Sequence, residues 1–183
     1  MNSLEQTIKE ISAFLDKQKI PYMVIGGVAN LVWGVPRTTL DIDITVLVQE
    51  GAVETFLNKA VRSFRCRSKN PADFVTRTGV LPLTSKAGMN IDLIFGKLAY
   101  EEQAVRRAKK KKMGAQSVRV CSAEDLIVHK IISQRPKDLE DVKGIIQQQK
   151  SALDRKYLDP IVENLAKELV RNDILEFYKR CFR

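Results

Sequence analysis

The chain has 183 residues, 44% of them hydrophobic and 29% charged, with 31 Lys and Arg against 22 Asp and Glu, a formal net charge of +9. That length buries a core without disulfides or a structural metal, and no apolar run approaches the roughly 20 residues that span a membrane. The start, MNSLEQTIKEISAFL, lacks the basic and apolar regions of a secretory signal, and the three cysteines match neither a disulfide framework nor a zinc spacing, so a cytoplasmic protein with reduced thiols is expected.

In chain order, residues 3–19 read as an amphipathic helix on Leu4, Ile8, Ile11 and Leu15. PYMVIGG is a short buried strand that ends in glycines. VANLVWG is a helical segment closed by Gly34 and Pro36, with Trp33 expected in the core. LDIDITVLV is a strand in which Ile42, Ile44, Val46 and Val48 alternate with Asp41, Asp43, Thr45 and Leu47. AVETFLNKAVRSF is a second amphipathic helix. FRCRSK, DFVTRT and VLPLT read as short strands, with turn signals at Asn70-Pro71 and Gly79. MNIDLIFG is a further strand, residues 99–113 a helix, and QSVRV a last short strand. RRAKKKK places six cations in seven residues, a pattern expected of a solvated helix end. From Ser122 onward SAEDLIVHKIISQ, KDLEDVKGIIQQQ and DPIVENLAKELV all read as helices, the last with Asp159-Pro160 as its N-cap and first turn. The expectation is a mixed α/β core over residues 1–121 followed by a helical region over residues 122–183.

Two aspartates inside an apolar strand demand an explanation. Side chains at i and i+2 share a face, so Asp41 and Asp43 project together, roughly 7 Å apart along the strand. They repel each other, and aspartate is disfavoured in strands. A bridging cation removes both objections, and carboxylate oxygens are what Mg²⁺ takes alongside substrate phosphates. The alternative is a solvent-facing strand whose polar face is simply acidic. Asp92, between Ile91 and Leu93 in a second strand, favours the first reading. If the two strands are neighbours it completes a set able to hold two metals about 4 Å apart for phosphoryl transfer. Gly26-Gly27 leads into a helix, where backbone N–H groups approach a phosphate closely.

These residues resemble the signature of the polymerase-beta-like nucleotidyltransferase superfamily. That signature is a hydrophobic residue and a glycine pair, then Asp-x-Asp between hydrophobics. It stands here as Ile25-Gly26-Gly27 followed by Leu40-Asp41-Ile42-Asp43-Ile44. GVPRTTLDIDI is especially similar to the AbiEii-type toxin nucleotidyltransferases, on Arg37 and Thr39. The resemblance implies an α+β fold, a mixed sheet flanked by helices with a C-terminal helical region. It also implies Mg²⁺-dependent (or Mn²⁺-dependent) transfer of a nucleoside monophosphate from an NTP to a hydroxyl acceptor. Asp41, Asp43 and Asp92 would bind the metals, and Gly26, Gly27, Arg37 and Thr39 the nucleotide. SAEDLIVHKIIS and RPKDLEDVKGII extend the resemblance, which implies Lys130 as a nucleotide-phosphate contact and Asp141, or Asp138, as an active-site partner. A cognate antitoxin is the protein partner it implies. Helical phase puts Lys130 between Leu126 and Ile127 in an apolar arc, where a lysine snorkels out or meets an anion. Asp138 and Asp141 also suit a helix N-terminus.

His129, the only histidine, leaves neither a histidine metal site nor a Ser-His-Asp triad, and reads as a polar-face residue. Cys66 reads as an incidental thiol between Arg65 and Arg67. The basic excess suits a nucleic acid acceptor such as a tRNA. The rival expectation is a non-catalytic nucleotidyltransferase-like module that binds nucleic acid or a partner protein.

Overall fold

The computed structural model describes residues 2–97, 99–114, 116–133 and 135–183. They fall into two compact units, one formed by Met1–Val28 with Thr38–Cys121 and the other by Ala29–Arg37 with Ser122–Arg183. No helix among the described residues is long and apolar enough to cross a membrane.

The first unit is built on one seven-stranded mixed sheet. Its strands are β1 (Tyr22–Ile25), β2 (Asp41–Val46), β3 (Arg65–Cys66), β4 (Val80–Thr84), β5 (Asn90–Phe95), β6 (Lys109–Met113) and β7 (Gln116–Val120), in the order β3-β4-β5-β2-β1-β7-β6. Strand β2 lies between β1, antiparallel to it, and β5, parallel to it. One face of β2 and β5 carries Ile42, Ile44, Ile91 and Leu93, all fully buried. That face, which includes Phe95, packs against α1 (Ser3–Lys17) and α3 (Val53–Ser63) through a chain of ring contacts from Phe95 to Phe56, Phe14 and Phe64. The opposite face of the same strands carries Asp41, Asp43 and Asp92. The alternation seen in the sequence therefore separates the core from the acidic positions.

Two segments depart from the expected secondary structure. DFVTRT, expected as a strand, lies in α4 (Pro71–Thr78). Pro71 occupies the first turn, Gly79 closes the helix at φ +71, and its N–H donates to the Val75 carbonyl at 2.8 Å. Asp73 and Arg77 pair across one turn at 3.1 Å. Asn70-Pro71 and Gly79 are thus helix start and stop signals, and they outweigh the β-forming Val, Thr and Phe between them. The second departure is the lysine run. Helix α5 (Ala99–Arg107) ends before it, and Lys109–Met113 forms edge strand β6. Gly114, at φ +60, turns the chain so that Met113 pairs with Gln116. Four consecutive lysines have no period of their own, so the hairpin partner decides their conformation.

The second unit contains α6 (Ala123–Ser133), α7 (Pro136–Gln149), α8 (Arg155–Glu168) and α9 (Asn172–Arg180). Ser122 caps α6, accepting from the Asp125 N–H at 3.1 Å and donating to its carboxylate at 2.7 Å. Trp33 is buried, as expected, and its carbonyl accepts from Gln149 Nε2 at 2.8 Å. Asp159-Pro160 does not open a helix. Asp154 caps α8 by accepting from the Tyr157 N–H at 3.1 Å, which leaves Pro160 inside the helix. Asp159 is drawn instead to Arg155 at 2.7 Å and to the Tyr178 hydroxyl of α9 at 2.5 Å. The helix α2 (Gly26–Trp33) has its first three residues in the first unit and the remainder in the second.

Candidate active site

The antiparallel pairing of β1 with β2 sets Ile25 opposite Asp43, so β1 ends and α2 begins beside that carboxylate. Gly26 holds a left-handed φ of +65, and a Cβ placed on it would stand 2.0 Å from Asp43 Oδ2. Glycine is required twice over, by the backbone and by the close approach of the side chain. Gly27 is constrained by space alone, since a Cβ placed on it would meet Thr39 Oγ1 at 2.3 Å. The Thr39 hydroxyl in turn lies 3.1 Å from the Asp41 carboxylate and from the Asp41 carbonyl, to which it donates. The glycine pair, Thr39, Asp41 and Asp43 therefore form one continuous arrangement at the end of the central strands.

The parallel pairing of β2 with β5 sets Asp43 directly opposite Asp92. Register partners project to the same face with Cβ atoms about 5 Å apart. Asp41, two residues earlier, shares that face. The structure thus places the three aspartates expected from the sequence on one sheet face, with both glycines beside Asp43 and Thr39, but it does not draw their side chains into the close cluster expected. It also adds a residue that the sequence reading passed over: Arg67, just beyond β3. Its Nε donates to the Leu83 carbonyl at 3.2 Å, and its terminal nitrogen donates to Asp92 Oδ1. The cation beside the Cys66 thiol is what matters in that segment, and only the placement of β3 beyond β4 reveals it. Among the described residues no three His, Cys, Asp or Glu side chains are grouped closely enough to hold a metal ion. The carboxylate oxygens of Asp41, Asp43 and Asp92 are the donor type that a hard divalent cation takes, and Arg67 holds one of them.

The second unit gathers the other expected residues. Lys130, only 4% exposed, donates to Asp138 at 3.0 Å and to Asp141 at 2.6 Å. Arg37 grips Asp141 in a two-pronged pair at 2.8 and 2.6 Å and is itself one-quarter exposed. Ser133 and Arg135 each donate to Asp138 at 2.6 Å. Lys130 thus meets an anion rather than snorkelling, and the anion is the aspartate pair of α7. Burial pushes the Asp138 carboxyl up, but the bonds from Ser133, Lys130 and Arg135 overcome it and hold the group at about 2. Burial likewise opposes, and Arg37 and Lys130 reverse, the shift of Asp141, which lies below the usual carboxylate range.

A folded-state value below the unfolded one means stability that is complete above about pH 4 and lost as pH falls toward 2. The Tm followed by far-UV circular dichroism is expected to stay level to pH 4 and drop steeply below it. Asp138→Asn should flatten that acid limb, and an unaltered limb would exclude this network as its source.

Comparison with known proteins agrees with this fold. The structure is similar to an antigenic nucleotidyltransferase-like protein from Paracoccidioides brasiliensis, with a TM-score of 0.56 and 20% identity over 97% of this chain and 92% of that one. It is similar to the antibiotic-resistance factor ANT(2'')-Ia, with a TM-score of 0.58 and 17% identity over 98% of this chain and 99% of that one. A lincomycin-bound lincosamide antibiotic adenylyltransferase, LnuA, gives a TM-score of 0.51 and 16% identity over 75% of this chain and 94% of that one. At such identities these likenesses establish the fold. No curated protein matches the sequence. A family described as nucleotidyl transferase of unknown function matches residues 4–177, nearly the whole chain, and the protein belongs to that family.

Proposed function

We propose that the protein transfers a nucleoside monophosphate from an NTP to a hydroxyl acceptor, with Asp41, Asp43 and Asp92 at the reacting phosphate. One observation carries this reading: Asp43 and Asp92 are register partners on parallel strands, beside a glycine turn that nothing but glycine can make. Mg²⁺ or Mn²⁺, when bound by these aspartates, would supply neutralisation of the triphosphate and a Lewis acid for the attacking hydroxyl. The chain itself contributes position. Gly26, part-exposed where Gly27 is buried, offers its backbone to phosphate, Gly27 makes room for Thr39, and Thr39 orients Asp41. In the second unit Arg37, one-quarter exposed, is proposed as a nucleotide contact on the strength of the family resemblance. Asp141 and Lys130 hold it in place, so Lys130 acts here as a positioning residue.

The direct experiment is incubation with α-labelled nucleotides and cellular RNA or protein. Label on an acceptor is expected, and none with any divalent ion would remove the reading. The resemblance to AbiEii-type toxins belongs to the same proposal, with a cognate antitoxin as the protein partner to seek by co-purification. The rival reading, a non-catalytic module, draws on the hold of Arg67 on Asp92. Thermal shift separates the two. An enzyme gains about 2.7 kcal/mol at a hundredfold excess of Mg²⁺-NTP over its Kd, whereas a module without a nucleotide site gains nothing.

Asp92 can serve a metal fully only when its bond to Arg67 is exchanged. The pair is one-third exposed on each side, and such pairs contribute about 0.2–1 kcal/mol. Arg67→Gln is therefore expected to tighten Mn²⁺ binding by up to about fivefold, measured by electron paramagnetic resonance titration. Unchanged or weaker binding would show that Arg67 and metal do not compete.

A further inference from the structure

We propose that the outward face of the β6–β7 hairpin, formed by Lys110, Lys112 and Arg119, docks the phosphate backbone of a nucleic acid strand. The inference rests on the transferase reading above and names the acceptor class. Strand register carries it. Lys110 is paired with Arg119 and Lys112 with Ser117, so these side chains share one face, while Val118 and Val120 are buried on the other. Val120 is matched to Val24 of β1, and Val24 to Ile44 of β2. Arg119 therefore lies on the opposite side from Ile44, which is the side of Asp41, Asp43 and Asp92. The cationic hairpin and the carboxylates occupy one face of one sheet. Three strand spacings separate β6 from β2, about 14 Å.

Two further observations narrow what binds there. Lys110 and Arg119 are like charges directly opposed across an antiparallel pair, an arrangement that is destabilising unless an anion lies over both. Lysines on an edge strand also deter strand addition, but that role does not account for Arg119, which sits on an interior strand between β1 and β6. All three cations are exposed, and none is paired with a carboxylate among the described residues. The large exposed apolar side chains, Val35, Leu40, Ile132, Leu169 and Val170, all lie elsewhere. A bare cationic face without aromatic or aliphatic anchors suits neither membrane insertion nor a protein hot spot. It suits a polyanion held by counterion release.

The test is fluorescence anisotropy of a labelled single-stranded RNA oligonucleotide with the full chain, titrated between 50 and 200 mM salt. The K110E/K112E/R119E variant is expected to bind at least tenfold more weakly. Its slope of log affinity on log salt should fall by about 2, near 0.7 for each lost phosphate contact. K156E/K167E/K179E, an equal charge change on exposed positions of α8 and α9, should keep affinity within about twofold. K110Q/R119Q should raise the Tm, by relieving the opposed charges, while lowering RNA affinity. The proposal is overturned if the hairpin variants bind RNA like wild type, if the control loses as much, or if anionic phosphatidylserine vesicles but not RNA depend on the hairpin. Failure of the transferase reading is separately visible. Asp43→Asn should retain RNA binding, and K110E/K112E/R119E should retain the thermal shift with Mg²⁺-NTP.

Discussion

Asp43→Asn is expected to lower nucleotide transfer by about 10³-fold or more while leaving the fold intact. The magnitude follows from the several kcal/mol of charge stabilisation that a carboxylate-held metal supplies, at 1.36 kcal/mol for each decade of rate. Asparagine is the informative replacement because it keeps the shape of the side chain that lies against Gly26, where a Cβ would stand only 2.0 Å away. A longer side chain would press on that backbone and confuse chemistry with packing. Arg67 still holds Asp92 in this variant, so its Tm should stay near that of wild type. Transfer of α-label to acceptor, read alongside the thermal midpoint, checks both halves. Wild-type transfer by the variant would sink the assignment of Asp43, whatever the fold.

Lys130→Met is expected to act in the opposite way, on stability first. Lys130 is buried between two carboxylates that are themselves 5% and 6% exposed. Removing one partner from a buried ion network costs about 3–5 kcal/mol, because the remaining charges stay desolvated. For a chain of this size that corresponds to a fall in Tm of roughly 10 °C. Arg37 and Arg135 remain to share Asp141 and Asp138, which places the effect toward the lower end. The result also separates the two roles proposed for Lys130. A positioning lysine shows lost stability together with a raised KM for nucleotide, and both should partly recover in Lys130→Arg. A lysine that touches phosphate directly would lower transfer with the Tm little changed.

The acidic face was legible in the sequence because a strand repeats every two residues. Asp41-Ile42-Asp43-Ile44 and Ile91-Asp92-Leu93 declare which side is core without any knowledge of their neighbours. The glycine pair was legible for a similar local reason, as the end of a strand and the start of a helix. The lysine run was not, because four identical side chains carry no period and lysine is a good helix former. DFVTRT was misread because its interior favours a strand while its ends specify a helix.

What the sequence alone determined is therefore local: the α+β class, the two-residue alternation that keeps the aspartates out of the core, and the family signature that spans them. The tertiary structure decided which distant segments meet. It set Asp92 opposite Asp43, brought Arg67 onto Asp92 across β4, closed Lys130 between Asp138 and Asp141, and put Arg119 on the carboxylate side of the sheet. Periodicity constrains each strand by itself, whereas strand order and register arise from the burial of whole faces. No short window of residues contains that information.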